Sequence, residues 1–214
     1  MVALEKHIFS TFAFVVFLMH LNTSAVAYEI EVPHGEFHTD PLDILFVVCT
    51  DDKTVRETIV SAAKKWDFEG LNLRFSEEKC DRNNTFGIAD SMSQIDFGPL
   101  PKIGDDVVAG RTVKFPQESS DADDKLNLTE CDIRLNTDVS WHIPIEPPLL
   151  VNAHDLYGVV VHEFGHCIGL GHSADESAVM FFEANFPSSV SDLLKKRELS
   201  SDDVKGRHFL YGKQ

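Results

Sequence analysis

His162-Glu163-Phe164-Gly165-His166-Cys167-Ile168-Gly169-Leu170-Gly171-His172-Ser173 is the stretch on which the reading of this chain turns. Two histidines four apart on a helix project from one face, one turn apart, so both imidazoles reach a single ion. Glu163 follows the first histidine and sits near that face, within reach of water at the ion. Zinc that keeps one position open needs a third protein ligand. His172 supplies it only if the helix ends first, and Gly169 lets the chain turn because glycine tolerates positive φ. The full spacing arises by chance in roughly one sequence in a hundred thousand at average residue frequencies. A merely histidine-rich surface helix leaves Gly169 and His172 unexplained.

Outward from this stretch, residues 153–169 predict a long buried helix. Residues 44–49 form a compact apolar run and predict a buried strand. Val55, Ile59, Ala62, Ala63 and Trp66 recur at helical spacing and predict a helix over 53–67, with Thr54 and Glu57 as its capping box. Leu71, Leu73 and Phe75 alternate as in a strand, and 85–89, 107–115 and 132–136 are further strand candidates. Residues 142–148 are Pro-rich and expected to be irregular. A last helix is expected over 200–211, capped by Ser200 or Ser201. No internal repeat is present, and the element order is mixed α/β.

The chain has 214 residues, 43% hydrophobic and 25% charged, which suits one globular domain. Its net charge of −16 repels phosphate backbones, so nucleic acid is not an expected partner. Lys6 and His7 precede an apolar run from Ile8 to Leu21, shorter than the roughly twenty residues a membrane span needs. Ala25-Val26-Ala27 follows, a small-x-small cleavage pattern. Residues 1–27 therefore read as a secretory signal, 28–42 as a short N-terminal arm and 43–214 as the functional domain. A secreted, extracellular protein without a stable membrane anchor is expected, working as a monomer. Cys49, Cys80, Cys131 and Cys167 suggest two disulfides. Three pairings are open; the expectation leans to Cys80 with Cys131 and Cys49 with Cys167. Asn83 and Asn127 head glycosylation triplets. Between Gln117 and Leu126 runs an acidic, Ser-rich loop. It reads as solvated, with a calcium site kept open as the second cofactor.

The extended three-histidine motif resembles that of the metzincin clan of zinc peptidases, which also carry a methionine turn beneath the metal. Met180, in Ser177-Ala178-Val179-Met180, stands where that methionine belongs. Ser173 after the third histidine resembles the matrixins, the matrix metalloproteinase family. Phe182, two positions beyond the methionine, lacks the hydroxyl of the tyrosine found there in astacins and serralysins. The segment from Leu199 to Gly212 resembles the closing helix of matrixin catalytic domains, and Trp66 to Phe75 more loosely their first helix and second strand.

The resemblance implies a metzincin-type α/β domain: a twisted, mostly parallel five-stranded sheet, three helices, and a cleft between a larger N-terminal and a smaller C-terminal subdomain. It implies a zinc metalloendopeptidase acting on extracellular protein or peptide substrates. His162, His166 and His172 would be the ligands and Glu163 the general base, with Gly169 and Met180 supporting the site. Phe182 and Gly158 would touch substrate, Gly158 leaving a roomy pocket for a bulky apolar residue after the cut. The strand at 107–115 would flank the cleft and pair with an extended substrate. The alternative is a catalytically inactive secreted binding module, which would be expected to have lost Glu163 or a ligand.

Four departures from the family stand out. No cysteine precedes Cys49, so latency through a zinc-binding cysteine is not expected; Glu36 or Asp40 of the arm is the candidate cover instead. No histidine lies between Thr39 and Trp141, so the family's structural zinc site is not expected. A hemopexin-like C-terminal domain is not expected. The pocket wall reads Met180-Phe181-Phe182-Glu183-Ala184 where the family has Met-Tyr-Pro and a tyrosine.

Overall fold

Strand β1 (Leu42–Val48) is almost wholly apolar because it lies inside the sheet, with Phe46, Val47 and Val48 buried. The computed structural model describes residues 42–68, 71–77, 80, 85–118, 126–143, 152–182 and 189–212. The expected signal segment, Glu36 and Asp40 of the arm, Asn83, most of the acidic loop and the pocket-wall residues 183 and 184 lie outside them, as does the Asn127 side chain.

β1 pairs in parallel with β2 (Leu71–Phe75) on one side and β3 (Ser93–Gly98) on the other. β3 pairs in parallel with β5 (Leu126–Asn136), and β4 (Gly110–Glu118) closes the sheet antiparallel to β5. The order β2-β1-β3-β5-β4 leaves β4 as an edge. A small parallel pair, β6 (Trp141–His142) with β7 (His154–Asp155), precedes the central helix. The architecture is mixed α/β with a mostly parallel five-stranded sheet, as expected.

Helix α1 spans Lys53–Ala63 and tightens into a 3₁₀ turn at Lys64–Trp66. Its cap is Asp52, whose carboxylate accepts from Thr54 N at 2.8 Å and Val55 N at 3.1 Å, not the expected Thr54–Glu57 box. A carboxylate reaches the orphan N–H groups as well as a threonine does. Helix α2 (Leu156–Cys167) carries the histidines across the sheet. Phe164 on its underside meets the Phe46 ring edge-on at 4.9 Å and the Phe75 ring at 6.2 Å. A short helix α3 (Val190–Lys195) was not expected, and makes four α-helices among the described residues where three were anticipated. Its Ser189 cap and single buried residue, Leu193, give it too little pattern to stand out. Helix α4 (Ser201–Tyr211) begins with a capping box between Ser200 and Asp203.

Residues 85–89 form turns, not a strand: Ile88 N bonds Thr85 O at 2.9 Å and Gly87 has φ 76°. The strand lies later, at β3, where Ser93 and Gln94 are buried and polar. Ser93 Oγ accepts from Cys131 N at 3.0 Å, and Gln94 Oε1 from Thr85 Oγ1 at 3.0 Å. The disulfides join Cys49 to Cys80 and Cys131 to Cys167, correcting the expected pairing. Cys131 on β5 faces α2, with Cα atoms 5.8 Å apart from Cys167, so sheet and helix are covalently tied.

Asp132, also on β5, is fully buried, and its Oδ2 accepts from Gly87 N at 2.9 Å. Burial, reinforced by the Glu130 charge, pushes its pKa up to about 6 from 3.8. A carboxyl raised on folding contributes stability in full below pH 3.8 and loses it as pH rises through about 6. Asp132→Asn is therefore expected to raise the melting temperature relative to the parent above pH 6, and to do so far less below 3.8. Equal shifts in thermal melts at both ends would refute this account of Asp132.

Candidate metal centre

The three histidines are brought together by one helix and one turn. His162 and His166 lie on successive turns of α2, with Nε2 atoms 3.1 Å apart. The helix ends at Cys167, and Gly169 takes φ 101°, a left-handed value that costs glycine little. The chain doubles back, and the His172 ring centroid lies 5.3 Å from that of His162 and 4.9 Å from that of His166. One ligand atom from each lies within 4.8 Å of the others.

Backbone carbonyls set the ring orientations. His162 Nδ1 donates to Val179 O and His166 Nδ1 to Leu170 O, each at 2.8 Å. With the proton held at Nδ1, the Nε2 lone pair is left for a cation. Burial, with the neighbouring His162, pushes the His166 pKa down to about 3, so this imidazole stays neutral, as a ligand must. This donor set fits zinc: three imidazoles converge, and two of them, His162 and His166, have the second nitrogen engaged by a backbone carbonyl.

Met180 packs against α2 at Gly165 and is 1% exposed. A Cβ on Gly165 would fall 2.1 Å from Met180 Sδ and 2.9 Å from Trp66 Cζ2, so only glycine admits this packing. Trp66 in turn donates its indole N–H to Val161 O at 2.7 Å. Sequence reasoning passed over Gly165, whose need for closeness shows only in three dimensions.

The methionine turn hangs from α4. Asp203, 1% exposed, accepts from Val179 N at 2.9 Å, Met180 N at 3.1 Å and Ser200 N at 2.7 Å. Ser173 N donates to Met180 O at 2.7 Å, and Ser173 Oγ donates to Asp202 Oδ2 at 2.7 Å. At the other end of α2, Asp155 caps the helix through Gly158 N at 2.9 Å and is gripped by Arg197, whose Nε lies 2.8 Å from Oδ2. That ion pair is buried and its guanidinium lies over the Tyr157 ring. Neither Asp203 nor Arg197 was singled out from sequence; acidic and basic residues near a helix start read as solvated until their burial is seen.

Glu163 is 5% exposed and packs against β4. Phe182 is 61% exposed, its ring 4.7 Å from that of Phe181. Gly158 does not open a pocket: a Cβ there would meet Asp155 Oδ2 at 3.0 Å and Lys196 O at 3.5 Å. The space its missing side chain leaves is taken by the helix cap and by α3.

The sequence profile of the matrixins (Peptidase_M10) matches residues 47–212, and the chain belongs to that family. It is similar to Metalloendoproteinase 5-MMP of Arabidopsis thaliana, 47% identical over 58 residues, covering 27% of this chain and 14% of that protein. Human Matrix metalloproteinase-27 is 45% identical over 58 residues, 27% of this chain and 10% of that one. The matches thus span a small part of the relatives' own length. Among solved structures, the archaemetzincin of Archaeoglobus fulgidus aligns with 77% of this chain and 99% of its own, at 14% identity and a TM-score of 0.42, too distant to assign anything from. Among the described residues no helix is long and apolar enough to cross a membrane.

Proposed function

We propose that this chain is a secreted zinc-dependent endopeptidase that hydrolyses peptide bonds in extracellular proteins or peptides. The observation that carries the reading is the convergence of His162, His166 and His172, with donor atoms within 4.8 Å, beside the buried carboxylate of Glu163. Zinc, when bound there, supplies Lewis acidity toward the scissile carbonyl and makes water a stronger acid. Glu163 takes the proton of the attacking water and passes it to the departing amine. Met180 and Gly165 form the floor that keeps the imidazoles from tilting away. β4 offers its open edge to an extended substrate main chain. Phe182, exposed beside Phe181, gives a substrate side chain an apolar surface. Secretion rests on residues 1–27 acting as a signal, with 43–214 as the peptidase domain.

Purified protein should cleave a fluorogenic peptide and gelatin, stop when a chelator is added, and resume when zinc is restored. Folded protein that carries zinc yet cleaves neither would overturn the reading.

A further inference from the structure

We infer that Gly110 and Thr112 on β4 form a seat that aims the Glu163 carboxylate, which makes Thr112 a positioning residue for the hydrolysis proposed above and rests on that reading. Thr112 Oγ1 lies 2.6 Å from Glu163 Oε2 and 3.1 Å from the Glu163 carbonyl oxygen. A threonine hydroxyl has one proton to give. The shorter contact, to the carboxylate, receives it as a charge-assisted bond. The other edge of the carboxylate rests on Gly110. A Cβ built there would stand 2.7 Å from Oε1, 2.8 Å from Cγ and 3.0 Å from Cδ. Any side chain here would push the carboxylate out of this position.

The two residues are two apart on a strand, hence on one face. Both are in register with β5, Gly110 opposite Leu135 and Thr112 opposite Ile133. The seat is therefore as stiff as the sheet. A glutamate side chain has three rotatable bonds, and without such restraint its oxygens sample several orientations. One contact holds Oε2 and the other allows the group to lie flat against the strand. Together they fix the carboxylate plane before substrate arrives. A base fixed in advance needs no reorganisation when the proton moves.

The test compares the zinc-loaded parent with Thr112→Val, Thr112→Ser and Gly110→Ala, reading zinc content, melting temperature, kcat and KM on one fluorogenic peptide. Valine keeps the shape and removes the donor. It is expected to lower kcat about ten- to a hundredfold while KM moves less than about twofold and zinc content holds. Serine keeps the donor and should recover most of kcat. Gly110→Ala should lower kcat with zinc retained. Parental kcat in Thr112→Val overturns the inference alone. So does a loss that serine fails to rescue and that follows the melting temperature, since that marks a tie between strand and helix only. A parent that loads zinc and cleaves nothing sinks the peptidase reading and this inference with it.

Discussion

Glu163→Ala is expected to yield a folded protein that loads zinc as the parent does, yet cleaves peptide about a thousandfold more slowly. The carboxylate is buried and accepts from Thr112 on β4. Its removal leaves His162 and His166 with their carbonyl partners intact. Loss of a positioned general base typically costs 10² to 10⁴ in rate, roughly. Rate measurements beside elemental analysis of the same sample separate chemistry from metal loss. A variant keeping more than about a tenth of the parental rate would dismiss Glu163 as the base. It would also revive the picture of a module that binds and does not cut.

The second large effect belongs to Asp203→Ala. Its carboxylate is the acceptor for three backbone N–H groups, those of Val179, Met180 and Ser200, at 2.7 to 3.1 Å. Each buried donor left without a partner costs about 1–3 kcal/mol, so a loss of about 3–5 kcal/mol is expected after partial relaxation. The damage travels to the metal, because Val179 also holds His162 through its carbonyl. Zinc affinity should fall about 10- to 100-fold, as for other changes behind a ligand. Denaturant melts and chelator competition measure the two quantities. An undiminished melt with parental zinc affinity would disprove the role given to Asp203.

The three-histidine cluster was legible in the sequence because its geometry is local. A helix turn fixes the spacing of His162 and His166, and a glycine announces the turn that returns His172. Strands β1 and β2 were legible for a similar reason, since burial on one or both faces leaves an apolar run or an alternation. β3 was hidden because its buried positions Ser93 and Gln94 are polar, Ser93 accepting from Cys131 N far along the chain. The disulfide pairing was hidden for the same reason: whether Cys167 meets Cys49 or Cys131 depends on which strand passes under the helix. Gly158 misled because a missing side chain reads as empty space. Here Asp155, needed as the helix cap, folds back into that space. Thr112 carried no signal at all, since a lone threonine in a strand is ordinary until Glu163 is placed against it.

The three imidazoles are not held alike. Two ride on a helix fastened at its start by the Asp155–Arg197 pair and at its finish by the Cys131–Cys167 bond, with Tyr211 Oη reaching Ile168 O at 2.7 Å just beyond. The third, His172, is exposed and sits on a turn past Gly169. Two of the three rings thus share one braced helix, while the third is delivered by exposed chain beyond it. Zinc exchange is expected to begin at the solvent-facing His172.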